Sequence, residues 1–234
     1  MKLLALDTAT EACSVALLID GHMRAREMEF ERGHAEHILP MVDEVLAAAA
    51  VTLEDLDALA FGRGPGGFTG VRLAASVIQG LAFAAGRLVV PVSDLAAVAQ
   101  RALDLEPDLS RVVVCNDARM QEVYWGCFER GPAGLAVPAG VEHVSPPSAV
   151  VLPPDWANGL KASVAGIGRG FRAYPDLLLT VGESVRLVSD QLLPRAEEIA
   201  RLAVVEIDAG RLLPPDEAIP TYLRDDVARP QSRN

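Results

Sequence analysis

The chain has 234 residues, of which half are apolar and 23% are charged, with 19 Gly and 16 Pro. This composition indicates a folded protein of one large or two small domains, and it excludes collagen-like, disordered and disulfide-scaffold classes. The 32 acidic and 21 basic side chains give a net charge of −11, which repels phosphate backbones. We therefore expect no broad nucleic-acid-binding surface on this chain alone, so RNA would be held through partners.

The cysteines and the lengths of the apolar runs indicate the cellular compartment of the protein. Cys13, Cys115 and Cys127 are widely spaced and form neither a disulfide framework nor a zinc-binding pattern. The first apolar run ends at Asp7, far short of a signal-peptide core, and we expect that no stretch approaches the roughly 18 apolar residues of a membrane span. We expect a cytoplasmic protein without a membrane segment.

The first half begins with three strands and continues with alternating helices and strands. Asp20-Gly21 separates the second and third strands as a tight hairpin turn. Apolar spacing of the helical period predicts three helices, the last of them capped by Ser93. The predicted strands are 2–7, 13–19, 22–30, 56–61 and 89–92. The predicted helices are 34–50, 69–85 and 93–103.

The pattern restarts after Glu106-Pro107, with strands at 111–116, 121–128 and 162–167 and a late helix at 194–208. Two short segments of the first half recur in the second half, and we call these similarities echoes. Residues 3–7 resemble residues 112–117, and Gly62-Arg63-Gly64 recurs as Gly168-Arg169-Gly170. These echoes favour an α/β protein of two similar lobes that face a shared cleft. The predicted lobes are 1–106, with 194–234 as a candidate addition, and 107–193.

Two turns and one glycine-rich loop carry candidate binding chemistry. A carboxylate and a hydroxyl follow the first strand, and an equivalent acidic turn follows residue 116. The loop 62–70 supplies flexible glycines and a threonine that could cap the next helix, leaving amides that attract an anion. It lacks Walker and dinucleotide-binding spacing, and local turn chemistry is the alternative interpretation. The candidate cleft residues are Asp7, Thr8, Gly66, Gly67, Thr69, Asp117 and Arg119.

No metal site or catalytic nucleophile is predicted. His34 and His37 are three residues apart, which is not the zincin spacing, and no third ligand lies at a recognisable interval. The serines lack a Gly-x-Ser-x-Gly context. A metallopeptidase-like activity is therefore disfavoured.

The helices 34–50 and 69–85 carry more apolar surface than one sheet can cover. The second is apolar almost all round, apart from Arg72, Ser76 and Gln79. Other parts of this chain or a second chain must cover the remainder, and we favour a second chain that pairs its helices into a four-helix bundle. The predicted interface residues are Ile38, Leu39, Met41, Val42, Val45, Leu46, Val71, Ala74, Ala75 and Ile78.

Four segments in chain order resemble the TsaB (YeaZ) family. They are LLALDTATEACSVA at 3–16, GPGGFTGVR at 64–72, NDAR at 116–119 with EVY at 122–124, and PTYLR at 220–224. The resemblance implies the two-lobed fold of the acetate kinase, sugar kinase, heat-shock-protein 70 and actin (ASKHA) superfamily.

The resemblance also implies a function through partners. Members of the family are non-catalytic subunits that pair with the threonylcarbamoyl transferase TsaD and work with the ATPase TsaE. The complex makes threonylcarbamoyladenosine beside the anticodon of tRNAs that read codons beginning with adenine. The first two long helices form the surface that pairs with TsaD, and the same surface makes a homodimer when the subunit is alone. Binding of tRNA is expected only through the complex.

Departures from active ASKHA enzymes imply a degenerate nucleotide cleft. Ala9 stands where those enzymes have glycine, and Asp117-Ala118-Arg119 lacks the glycine of the second phosphate segment. The His-x-x-x-His motif of TsaD is also missing. We expect no required cofactor, while Asp7 and Asp117 leave room for weak ATP or ADP binding. The alternative hypothesis is an ASKHA-type small-molecule kinase or ATPase that uses these two carboxylates and the glycine-rich loop.

Overall fold

The computed structural model describes residues 1–29, 32–157 and 164–224, which form two mixed β-sheets with helices packed on their faces. The strands are β1 Lys2–Asp7, β2 Ala12–Ile19, β3 His22–Glu29, β4 Ala58–Gly62, β5 Val89–Val92, β6 Arg111–Arg119, β7 Glu122–Arg130, β8 Ala136–Pro138, β9 His143–Ser145, β10 Val164–Ile167 and β11 Val185–Ser189. The helices are α1 His34–Ala49, α2 Phe68–Ala85, α3 Asp94–Leu105, α4 Pro154–Ala157, α5 Gly170–Ala173, α6 Leu177–Val181 and α7 Ala196–Asp208.

The first sheet has the strand order β3-β2-β1-β4-β5. The hairpins β1–β2 and β2–β3 are antiparallel, whereas β4 lies parallel to both β1 and β5. Asp20 and Gly21 both adopt positive φ, which confirms the predicted hairpin turn. The predicted order of three strands followed by α1, β4, α2, β5 and α3 is also confirmed.

Alternating side chains of β1 pack into two different hydrophobic cores, one on each face of the first sheet. Leu4 and Leu6 pack with the buried stripes of α1 and α2, whereas Leu3 and Ala5 face α3 and α7 on the opposite side. The second of these cores continues through α3 and α7 to β6 of the second sheet, where Val112 belongs to the same cluster. Both faces of the first sheet are therefore covered by helices.

The second sheet has the strand order β11-β10-β6-β7-β8, and β9 also pairs with β7. Its central strand β6 is antiparallel to β7 and parallel to β10, as β1 is antiparallel to β2 and parallel to β4. The echoes in the sequence thus fall on equivalent strands. The C-terminal α7 packs on the first sheet, against β1 and β2. The exact lobe boundaries at 106 and 193 stay predictions.

Some predicted bounds need correction. Ser93 Oγ accepts a hydrogen bond from Ala96 N at 3.2 Å and caps α3 as predicted. By contrast, α2 begins at Phe68 with Gly67 as its N-cap, so Thr69 lies in the first turn and the prediction that it caps the helix is wrong. The late helix begins at Ala196 because Arg195 is extended. Residue 30 and residues 162–163 of the predicted strands lie outside the described residues.

Candidate functional site

The glycine-rich loop 64–70 packs directly onto the turn 7–10 that follows β1. Gly67 N donates to the Ala9 carbonyl oxygen at 2.7 Å, and Thr8 Oγ1 donates to the Gly70 carbonyl oxygen at 2.7 Å. A Cβ on Gly66 would stand 2.6 Å from the Ala9 carbonyl oxygen, which is closer than real Cβ atoms approach. Glycine at this position therefore allows the loop to close on the turn.

This closure buries the predicted phosphate-handling side chains. Asp7 is 0% exposed and Thr8 is 1% exposed, and Ala9 is also buried. A ligand phosphate would reach these groups only if loop 64–70 moved away from the turn. Of the residues predicted to line a cleft in the first half, Asp7 and Thr8 are buried, Gly66 is half-buried, and Gly67 and Thr69 are exposed. Their use as a nucleotide site stays a prediction.

Asp7 is joined in the buried site by Asp94, the first residue of α3. Asp7 Oδ1 accepts from Ala9 N at 3.0 Å, and Asp94 Oδ2 accepts from Gly64 N at 2.5 Å. The two carboxyl groups flank Gly62, where a Cβ would collide with both of them. The sequence pattern did not reveal Asp94, because an aspartate after a serine cap is ordinary helix-start chemistry.

Burial is the largest cause of the raised pKa values of this carboxyl pair. It raises the pKa of Asp7 to about 7, although polar interactions with Ala9, Asp94 and Thr8 oppose the rise. Burial and then the charge of Asp7 raise the pKa of Asp94 well above its ordinary value. The charge of Glu142 adds to the rise at Asp94.

The matching turn of the second half is more open and is organised locally. Asp117 accepts from Arg119 N at 2.9 Å and pairs with the Arg119 guanidinium at 3.0 Å. The Tyr174 hydroxyl also donates to Asp117, at 3.2 Å. Within the described residues, Asp117 and Arg119 form their hydrogen bonds with the second half of the chain. The structure thus brings these two predicted residues together, but it does not connect them to Asp7.

The C-terminal segment links the glycine loop to the second half. Thr221 N donates to the Arg63 carbonyl oxygen at 2.7 Å, and the Arg63 guanidinium donates to Thr221 Oγ1 at 2.7 Å. The same guanidinium contacts Glu142 at 3.2 Å. Arg224 donates to the Ala118 carbonyl oxygen at 3.2 Å and pairs with Glu122. Residues 221–224 therefore connect the end of β4 with the turn between β6 and β7.

The predicted interface residues mostly face inward. Ile38, Met41, Val42, Val45, Leu46, Val71, Ala74, Ala75 and Ile78 are all buried within this chain. This part of the prediction is wrong, because α1 and α2 turn these side chains toward the first sheet. Of the ten predicted residues, Leu39 alone is exposed, at 47%.

The outward face of these helices carries different residues. Phe83 of α2 is 83% exposed, and Ser76, Gly80 and Ala84 form an exposed line of small residues along the same helix. The exposed residues of α1 include Leu39, Pro40, Ala47 and Ala48. We call the outward residues Leu39, Ser76, Gly80, Phe83 and Ala84 the helical face.

Within the described part of the chain, one helix is long and apolar enough, by length and composition alone, to cross a membrane. The helix is α2, and 28% of its 18-residue window is buried. The expectation that no stretch approaches roughly 18 apolar residues needs correction for α2, which has that length although Arg72, Ser76 and Gln79 interrupt its apolar residues. Separately, the described residues contain no group of three His, Cys, Asp or Glu side chains arranged to hold a metal ion.

Comparison with known proteins gives a consistent family. The family model for TsaD, tRNA N6-adenosine threonylcarbamoyltransferase, matches residues 28–175. The tRNA threonylcarbamoyladenosine biosynthesis protein TsaB of Escherichia coli K12 is 40% identical over 97% of this chain and 96% of its own length. The TsaB protein of Haemophilus influenzae is 42% identical over 97% and 95%.

Solved structures agree with these relatives. YeaZ from Pseudomonas aeruginosa is 44% identical, with a TM-score of 0.84 over 95% of this chain and 99% of that one. A second Pseudomonas aeruginosa structure, described as an uncharacterized protein with similarity to peptidase YeaZ, is 46% identical with a TM-score of 0.86 over the same shares. With its two mixed sheets flanked by helices, the chain has the expected ASKHA-like fold and belongs to the TsaB (YeaZ) family.

Proposed function

We propose that this protein is a non-catalytic subunit in the biosynthesis of threonylcarbamoyladenosine on tRNA. It pairs with a TsaD-type transferase, works with a TsaE-type ATPase, and forms a homodimer when it is alone. Family membership supports a role in this pathway, because two relatives matched over nearly their full length are tRNA threonylcarbamoyladenosine biosynthesis proteins. The observation that carries the partner role is the exposed apolar helical face, which residues 1–29, 32–157 and 164–224 leave uncovered.

The closed turn supports a non-catalytic role. A phosphate-transfer enzyme needs its carboxylates and backbone amides to contact the substrate. Here Asp7 is fully buried, and the Gly67 amide that could have bound an anion donates to the Ala9 carbonyl oxygen instead. The kinase or ATPase alternative would require loop 64–70 to lift from the turn before each reaction. Weak ATP or ADP binding would require the same opening.

The helical face has the composition of a protein-binding surface. Ser76, Gly80 and Ala84 are spaced by four residues, so they lie along one line of α2 and allow a partner helix to approach closely. Phe83 beside them offers a large aromatic anchor, a residue type that is enriched at interfaces. We expect the interface with the transferase to bury upwards of about 2,000 Å² in total.

A partner explains the hydropathy of α2 better than a membrane does. Val71, Ala74, Ala75, Ile78 and Ala82 of this helix are buried against the chain's own core. Arg72 lies exposed on the same helix, where its guanidinium stacks on Phe68 at 3.4 Å from the ring centroid. A helix that is already packed on a sheet and carries an exposed charge is unsuited to lipid. We therefore propose a cytoplasmic protein.

The charge of the chain assigns tRNA binding to the partners. A net charge of −11 opposes the counterion release that drives binding to a phosphate backbone. The subunit is therefore expected to reach tRNA only within the complex.

The test is depletion of the protein in its source cell, followed by nucleoside mass spectrometry of tRNA. Threonylcarbamoyladenosine should fall, and re-expression of the wild-type chain should restore it. A Thr8→Ala variant should restore it equally well, because Thr8 performs no chemistry in this account, whereas the kinase alternative predicts a loss. Unchanged threonylcarbamoyladenosine after depletion would overturn the proposed function.

A further inference from the structure

Asp7 and Asp94 form a buried pair of carboxyl groups at the place where β1, β4 and α3 meet. Asp7 is the last residue of β1 and Asp94 is the first residue of α3. Gly62, at the end of β4, separates them, and its missing side chain leaves the space that both carboxyl groups occupy. Both aspartates are 0% exposed, so water does not solvate either group.

Each carboxyl group has one satisfied and one unsatisfied oxygen. Ala9 N donates to Asp7 Oδ1, and Gly64 N donates to Asp94 Oδ2. Asp7 Oδ2 and Asp94 Oδ1 are buried without a donor from any described residue. Ionised carboxylates only accept hydrogen bonds, so two of them cannot satisfy each other. One proton between them would supply the missing donor and remove the repulsion of two buried negative charges.

Among the described residues, the groups that act on the pair provide no positive charge that would keep both carboxyl groups ionised. Ser14 of β2 pairs with Asp7 in the sheet, and at the neighbouring Cys13 burial and then the charge of Asp7 raise the pKa of the thiol to about 11. Glu142 acts on Asp94 with a second negative charge. Arg63, which follows β4, directs its guanidinium to Glu142 and Thr221. From α2 the contact to the turn is the neutral Gly70 carbonyl, and the N-terminal amide of α7 donates to Ser14.

We propose that Asp7 and Asp94 share one proton at neutral pH, and that this acid–carboxylate pair is a latch that holds loop 64–70 against turn 7–10. Asp7 fixes the turn through Ala9 N, and Asp94 fixes the loop through Gly64 N. Asp94 N also donates to the Gly64 carbonyl oxygen, at 3.0 Å. The shared proton joins the two halves of the latch. Loss of this proton leaves two buried negative charges that push the loop and the turn apart and expose Thr8.

The latch is independent of the proposed function, and it makes the stability of the fold depend on pH. The folded-state pKa values of Asp7 and Asp94 both lie above the ordinary value of 3.8, so the folded chain binds a proton that the unfolded chain has lost. The stabilisation from the shared proton is fully present below the ordinary value and is lost as the pH rises through the pKa of the group that holds it, which burial and the charge of Asp7 raise well above the ordinary value at Asp94. Over the range in which the folded pair keeps this proton and the unfolded chain does not, the unfolding constant should rise about tenfold per pH unit.

The test uses carboxyl ¹³C NMR and denaturant unfolding of the full chain from pH 5 to pH 9. In the wild type, one carboxyl group of the buried pair should titrate near neutrality, while the pair keeps one proton above that pH. Asp94→Asn replaces the shared proton with an amide that donates to Asp7, while its carbonyl oxygen still accepts from Gly64 N. This variant should lose the neutral titration, and its unfolding constant should depend on pH by about one proton less than that of the wild type.

Controls keep the outcome decisive. Asp43→Asn on exposed α1 should leave the wild-type pH dependence unchanged. Asp7→Asn places the amide on the other side of the pair and should behave like Asp94→Asn, so failure of one variant to fold does not end the test. If both variants fail to fold, the wild-type titration decides alone. Two aspartates that both stay ionised from pH 5 to pH 9, or an identical pH dependence in wild type and Asp94→Asn, would overturn the latch.

Discussion

Gly66 and Ala9 lie so close that a single methyl group on Gly66 would stand 2.6 Å from the Ala9 carbonyl oxygen. The contact joins the loop before α2 to the turn after β1, two segments that are far apart in the sequence. It explains why the turn is closed in this chain.

Gly66→Ala should destabilise the protein, because the added methyl group forces the loop away from the turn. Overpacking of this kind costs about 1–3 kcal/mol. Gly80→Ala is the matched control, since a Cβ on Gly80 meets nothing within 4 Å and alanine favours a helix by about 1 kcal/mol. Urea unfolding should therefore show opposite signs for the two variants. Equal stability of Gly66→Ala and wild type would contradict the closed loop.

Thr221→Val should weaken the connection between the C-terminal segment and the first half. The change removes the hydroxyl that accepts from the partly buried Arg63 guanidinium, and a hydrogen bond to a charged group contributes about 1.5–3 kcal/mol. Thr180→Val removes an exposed hydroxyl that donates to the carbonyl oxygen of Asp176, the N-cap of α6, so its effect should stay within about 0.5 kcal/mol. Chemical denaturation of both variants checks the difference, and similar midpoints would show that residues 221–224 contribute little.

The three cysteines should be unreactive in the folded protein. Burial raises the pKa of Cys13 to about 11 and that of Cys127 to about 12, and it also raises the pKa of Cys115. Because the thiolate is the reactive form, a thiol reagent at pH 8 should label none of them quickly. All three should react once guanidinium unfolds the chain. Rapid labelling of the native protein would show that these strands open more readily than the structure indicates.

The long periodic elements could be predicted from sequence, whereas the orientation of two helices could not. The order of strands and helices along the first half, the hairpin at Asp20-Gly21 and the Ser93 cap rest on local patterns, which the structure confirms. Helix α2 is apolar on nearly all sides, so its sequence has no polar stripe to mark the outward face. The prediction therefore chose inward residues such as Val71 and overlooked the exposed Phe83.

The site was harder to predict because contacts between distant segments create it. Asp7 was identified as chemically interesting, but its partner Asp94 follows a different strand and resembles an ordinary helix-start residue. The closure by Gly66 has no local signature either, since glycine is equally typical of an open binding loop. Short elements such as β8 and α5 were missed because three or four residues do not establish a period.

The central claim is that the helical face binds a transferase partner, and the most direct test is sedimentation of the chain with the TsaD-type protein of its source. Phe83→Asp puts an unpaired charge at the centre of this face, and Leu179→Asp is a matched control on α6, because Leu179 is 81% exposed and Phe83 is 83% exposed. The wild type and Leu179→Asp should form the complex, while Phe83→Asp should stay uncomplexed, since burying an unpaired charge costs several kcal/mol. Complex formation by Phe83→Asp at wild-type affinity, or a wild-type chain that stays monomeric beside the transferase at high concentration, would contradict the account.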